Sequence, residues 1–143
     1  MLIFESTKEV DFSSGEEIWL IMNSVTGDLA KYASLPHVHV VPELAPEQSL
    51  YQDFLKWKRN CNWDQSRFDK EFSPRYIGQI SNSQEAINKL TELMFRKEEN
   101  IHICCSCMNE SMCHRILLAR MLYGTIARNY IKVRDIRNLK PKD

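Results

Sequence analysis

The sequence predicts an α/β fold, a mostly parallel central sheet of four or five strands with helices packed on its faces. Three observations carry this. Apolar, β-branched runs of strand length recur at residues 17–22 (EIWLIM), 37–41 (HVHVV) and 101–105 (IHICC). Amphipathic helical segments fall between and after them, at 47–59, from Ser81 to Lys97, and at 113–128. The run IHICC is apolar almost throughout, as in a strand buried on both faces of a parallel sheet.

In chain order, residues 1–4 make a short apolar start and TKEVDFSSGEE reads as a loop or edge. After the strand at 17–22, NSVTGDLAKYASLP holds either a turn of helix around residues 28–33 or only a loop. The strand at 37–41 ends at Pro42. The helix at 47–59 places Leu50, Phe54 and Trp57 at i, i+4 and i+7, with Tyr51 and Leu55 beside them. A short helix is expected around residues 64–72, broken before Pro74, which leaves Arg75 and Tyr76 in a loop. Ser81 and Gln84 have capping-box spacing, and the helix they open directs Ile87, Leu90, Leu93 and Met94 inward. A last strand is expected at 130–136.

Composition bounds the function. The chain has 143 residues, 43% of them apolar, which suits one α/β domain over residues 1–143 with a short basic tail from about 137. No run approaches the ~18 consecutive apolar residues of a membrane span, and the N-terminus is acidic where a signal peptide is basic. Five cysteines, four of them between positions 104 and 113, do not make a spread disulfide framework. Reduced thiols and a cytoplasmic location are expected, with no membrane partner. The net charge of zero hides −7 over residues 1–55 and +6 over 115–143. That asymmetry fits either internal pairing with a solvated tail or an anionic partner for the C-terminal part.

The chemistry concentrates after the strand at 101–105. Ligands of open α/β sheets gather at the carboxyl ends of strands, beside helix N-termini whose unpaired N–H groups favour anions. Here that place holds Cys113, His114 and Arg115, preceded by Asn109, Glu110 and Ser111. In an active site Cys113 would be nucleophile or polar anchor, His114 the acid–base and Arg115 an anion clamp. Cys105, Cys107, Asn109, Glu110, Ser111, Arg75 and Tyr76 are the accompanying candidates for ligand binding. Cys105, Cys107, Cys113 and His114 also supply the ligand types of tetrahedral zinc. Their spacing, C-x-C-x5-C-H, fits no familiar ribbon, and neighbours 113 and 114 would point apart on a helix, so no metal or cofactor is assigned. Buried core packing is the third reading, favoured for Cys104 and Cys105. A phosphatase-type loop fails on spacing, with seven residues between Cys107 and Arg115 and no glycine among them. No P-loop, GxGxxG or HExxH occurs.

The remaining candidates have plainer readings. His37 and His39 would share a strand face, and His102 reads as a hydrogen-bonded structural residue. The aromatics Tyr51, Trp57, Trp63, Phe68, Phe72 and Tyr76 could stack on bases beside Lys56, Lys58, Arg59, Arg67 and Arg75, and at helical spacing most read as core or as a lid over the sheet.

The run 101–122, IHICCSCMNESMCHRILLARML, resembles the signature of the family known as domain of unknown function 488: a strand ending in Cys-x-Glu, a short loop, then Cys-His-Arg opening a helix. Cys105, Cys113, His114 and Arg115 fall on that pattern. Cys107 stands where the family usually has Glu, and Glu110 lies three residues on. Leu44-Ala45-Pro46 is similar to the family's Leu-Ala-Pro segment. Trp63, Phe68 and Phe72 or Tyr76 are similar to its Trp, Phe, Tyr helix, with two extra residues after Trp63. The resemblance spans about residues 40–125; it implies an α/β fold and a role for the triplet, and it names no reaction.

The expected function is therefore an anion site, and a catalytic one if the triplet is active, for a phosphate-bearing small molecule or nucleic acid. The alternatives are a nucleic-acid-binding module using Lys132, Arg134, Arg137 and Lys140, or a structural zinc domain.

Overall fold

The computed structural model describes residues 1–107 and 112–134. Its five strands are β1 (Leu2–Ser6), β2 (Glu17–Leu20), β3 (Val38–Val40), β4 (Ile101–Cys105) and β5 (Ile131–Val133). They form one sheet in the order β3-β2-β4-β1-β5, every neighbouring pair parallel. All five carboxyl ends therefore lie along one edge. The helices are α1 (Asp28–Ala33), α2 (Gln48–Arg59), α3 (Gln65–Arg67), α4 (Ser73–Ser81), α5 (Gln84–Phe95) and α6 (His114–Tyr123). None is long and apolar enough to cross a membrane among the described residues.

The pleat divides the side chains between two cores. Leu2, Phe4, Trp19, Ile101, Ile103 and Cys105 join Leu50, Tyr76, Leu93, Leu117, Leu118 and Leu122 from the helices in the larger one. Ile18, Leu20, Val38 and Cys104 face a smaller core closed by Val10, Phe12 and residues near α1. The helical cover is thus unequal: α2 and α4–α6 lie on one face, and α1 with the preceding loop lies on the other.

Several local expectations change. Residues 65–81 run on as one helical stretch through a π-helical turn, Phe68–Phe72, in which Ser73 N–H donates to the Phe68 carbonyl. Pro74 therefore does not break the helix. The turn adds one residue just before it, and a π-turn already leaves a carbonyl without its usual donor, so the missing N–H of Pro74 costs little there. The cap of α5 is Ser83, whose hydroxyl accepts from Ala86 N–H at 3.2 Å, because α4 continues through Ser81. The buried stripe of α5 consequently runs through Ala86, Leu90 and Leu93, and Ile87 is exposed. β3 starts at Val38, so His37 does not share a strand face with His39; its Nε2 meets the Phe12 carbonyl at 2.8 Å. α6 spans less than the expected 113–128, with Cys113 as its N-cap and Gly124 as its C-cap. The expected strand at 130–136 is β5; its last two residues and the basic tail from 137 lie outside the described residues.

The sheet face opposite the larger core carries an ionic cluster. His102 places Nδ1 2.6 Å from Glu5 and Nε2 3.0 Å from Glu16, and Arg134 Nη1 donates to the other oxygen of Glu5 at 3.2 Å. Glu5 above all, and Glu16 with it, raise the His102 pKa against the opposing effect of burial. A folded pKa above the unfolded one means that this stabilisation is complete below about pH 6.5 and fades as pH rises through the folded value. The gap in urea-unfolding free energy between wild type and His102→Gln should accordingly be widest near pH 5.5 and narrow towards pH 9. A gap that stays constant or widens with pH would contradict this ionic cluster.

Candidate functional site

The carboxyl ends of β2 and β4 and the start of α6 meet at one place. Alternation along β4 sends Cys105 to the helix-covered face and Cys104 to the opposite core, so only one of the adjacent thiols reaches the site. Cys113 precedes α6 in extended conformation, φ −126° and ψ 147°, and its side chain makes no capping hydrogen bond. That leaves the sulfur turned inward, 2.9 Å from Cys105 Sγ. His114 Nδ1 lies 3.7 Å from the same Cys113 sulfur, while Nε2 donates to the Ile21 carbonyl at 2.9 Å. Since a carbonyl only accepts, Nε2 carries a proton, and in the neutral form of the ring the Nδ1 lone pair faces the sulfurs.

Cys113 and His114 therefore do not point apart, because Cys113 caps the helix instead of lying within it. The ligand atoms of Cys105, Cys107, Cys113 and His114 lie within 4.8 Å of one another.

Arg115 is wholly buried. Its Nη1 donates to the carbonyls of Cys107 (2.8 Å) and Cys105 (3.3 Å) and approaches Cys105 Sγ at 3.3 Å. Among the described residues its Nε and Nη2 have no partner. Burial opposes its charge, and the neighbouring Cys105 and Cys113 sulfurs more than offset that, so its pKa is raised. The sulfurs respond in kind. Burial works against a thiolate at Cys105, yet hydrogen bonds from Cys107 and Cys113, the His114 imidazole when it is protonated and the charge of Arg115 hold its pKa well below the usual value. The bond to Cys105 pushes Cys107 up to about 12, and burial pushes Cys113 far up. Of the three thiols, Cys105 is the one whose thiolate its neighbours favour, where the sequence pointed to Cys113 at the helix start.

These groups form the floor of a cleft of about 310 Å³. Cys105, Cys107, Cys113 and His114 line it together with Ile21–Ser24, Pro46, Tyr51, Phe54, Leu55, Lys58, Phe72, Ser106 and Met112. Arg115 is not among the residues that line this cleft; its contacts among the described residues are with Cys105 and Cys107. Asn109, Glu110 and Ser111 lie outside the described residues.

Arg75 and Tyr76 are placed differently from expectation, because the helix continues past Pro74. Arg75 pairs with Asp53 at 2.7 Å, and the buried Tyr76 donates its hydroxyl to the Leu44 carbonyl at 2.6 Å with its ring against His114 (centroids 5.4 Å apart). Tyr76 is thus a positioning residue for the imidazole. Tyr76→Phe, which orphans a buried carbonyl, should cost about 1–3 kcal/mol in urea unfolding.

The cleft wall from α2 was missed as a site. Its sequence signals are the 51, 54/55, 58 stripe, the helical spacing of a face beside the core stripe, and the interleaving of Tyr51 with Lys58.

A family model described as DUF488-N3a, the active DUF488-N3 subclade, matches residues 11–125. The chain belongs to the DUF488 family. No curated protein and no solved structure matches it. The match takes in every described residue of the cleft, so in this DUF488 chain both the sulfur floor and the aromatic wall lie inside the family region.

Proposed function

We propose that the cleft is a reaction site for a small anionic ligand with a flat, partly apolar body, of the nucleoside monophosphate class. The observation that carries this is the composition of the cleft. Tyr51, Phe54 and Phe72 supply aromatic surface on one wall, Lys58 stands over the Phe54 ring at 5.3 Å, and the sulfur–imidazole cluster closes the floor. Among the described residues Lys58 has no carboxylate partner, which leaves its charge for a phosphate. A volume near 310 Å³ sits at the small end of ligand pockets and suits a mononucleotide better than a polymer. At the floor, Cys113 and His114 form the thiol–imidazole pair through which a proton moves, with Arg115 holding charge on Cys105. The family's description as active accords with a cleft that keeps these groups.

Of the basic residues named for the nucleic-acid alternative, Arg134 is tied to Glu5 and Lys132 is exposed; Arg137 and Lys140 lie outside the described residues.

Calorimetric titration with adenosine 5′-monophosphate tests the proposal. Lys58→Ala should weaken binding about tenfold or more, the worth of one charged hydrogen bond. Unchanged affinity in both Lys58→Ala and Tyr51→Ala, or no binding of any common nucleoside monophosphate, would refute it.

A further inference from the structure

We infer that Cys105, Cys107, Cys113 and His114 form a tetrahedral site for one zinc-class divalent ion at the floor of the cleft. Four ligand atoms from the end of β4, the residues after it and the start of α6 lie within 4.8 Å of one another. Zinc bonds of about 2.3 Å to sulfur and 2.0–2.1 Å to nitrogen require spacings of about 3.5–3.8 Å, so side-chain shifts of about an ångström, which open the 2.9 Å Cys105–Cys113 pair and draw in the wider ones, form the site.

Three further features agree with a metal. The imidazole is already oriented: Nε2–H is anchored on the Ile21 carbonyl and the Nδ1 lone pair faces the sulfurs, the second-layer arrangement that metal-bound histidines use. The donor set is soft, three thiols and an imidazole, which selects zinc-like ions over magnesium or calcium. The charges also close. Three thiolates around a divalent ion leave one negative charge, and the wholly buried guanidinium of Arg115, with Nη1 at 3.3 Å from Cys105 Sγ, offsets it. The other two cysteines stand apart, since Cys104 faces the smaller core and Cys61 is exposed.

This inference deepens the cleft proposal by naming the group at its floor. It rests on that reading only for what the ion does to a bound ligand. With all four donors engaged, the ion would take the place of the Cys113–His114 proton pair, fasten the strand end to the helix start and set the shape of the floor.

Cobalt(II), added to the reduced full-length chain with zinc as competitor, tests it. The expected result is one cobalt per chain, with thiolate-to-cobalt charge-transfer absorption and the intense visible bands of a tetrahedral ion, displaced by zinc. Cys107→Ser, at a half-buried position, should lower affinity at least about 100-fold, more than the loss of a second-layer partner costs. Cys61→Ser should leave it unchanged. Absence of the charge-transfer band in the wild-type chain would overturn the inference, whatever the variants do. So would cobalt binding at wild-type strength in both Cys107→Ser and Cys113→Ser. Adenosine monophosphate titrated into metal-free protein separates the two proposals: nucleotide binding without metal uptake removes only the ion, and metal uptake without nucleotide binding removes only the ligand reading.

Discussion

Arg115→Met is expected to lower the unfolding free energy by about 3–5 kcal/mol, the cost of breaking a buried ionic contact from one side. The guanidinium is wholly buried, and through Nη1 it donates to the carbonyls of Cys107 and of Cys105, which also accepts from Thr7 N–H, and approaches the sulfur of Cys105. Methionine fills much of the same space, so the loss is mainly of charge and donors. The Cys105 and Cys107 carbonyls each lose a donor, and the Cys105 sulfur loses the cation beside it. Arg115→Lys keeps the charge but on a shorter, more strongly hydrated ammonium in place of the planar guanidinium, and should recover only part of the loss. Urea unfolding of the three proteins measures this. A change below about 1 kcal/mol in Arg115→Met would mean that the guanidinium is not an internal counter-charge.

Phe72→Ala should destabilise the fold by about 3–5 kcal/mol, the usual range for deleting a buried phenyl ring. Phe72 is 5% exposed, and its ring centroid lies within 6.2 Å of those of Phe54, Trp63, Phe68 and Tyr76. Because the same ring lines the cleft, the substitution should also weaken nucleotide binding. Phe68→Leu provides the comparison. Phe68 belongs to the same π-helical turn but does not line the cleft, so it should affect stability with little change in affinity. Unfolding curves and calorimetric affinities of both variants, taken together, check the assignment.

Much of the fold was legible because periodicity reports burial directly. IHICC and EIWLIM could satisfy their alternating and continuous apolar patterns only in a covered sheet, and both became neighbouring parallel strands. The helix at Pro74 was misread because the local rule against proline acts on three or four residues. The aromatic packing that favours the π-turn draws on Phe54 and Trp63, which lie far from Pro74 in sequence.

The charge asymmetry was legible as a question and is answered in part by geometry. Arg134 from the basic end meets Glu5 from the acidic start.

In the site, Cys-His-Arg drew attention to the right turn, but roles depend on direction. The N-cap conformation of Cys113, the burial of Arg115 behind Cys105 and the Lys58 wall all follow from how separate elements meet, and no spacing along the chain encodes that. Cys107 lies in an irregular stretch where periodicity says nothing, so its convergence with Cys105 and Cys113 could be found only in three dimensions.

The central claim is that the cleft between the ends of β2 and β4 is where this protein meets its ligand. Methionines report on it without any substitution. Met22 and Met112 line the cleft, while Met94 and Met121 pack elsewhere against the larger core. With methyl-labelled methionine, titration with adenosine 5′-monophosphate should shift the Met22 and Met112 signals together along one saturable curve and leave Met94 and Met121 in place. Saturable shifts confined to Met94 or Met121, or no shift of Met22 and Met112 with any nucleoside monophosphate, would contradict the account.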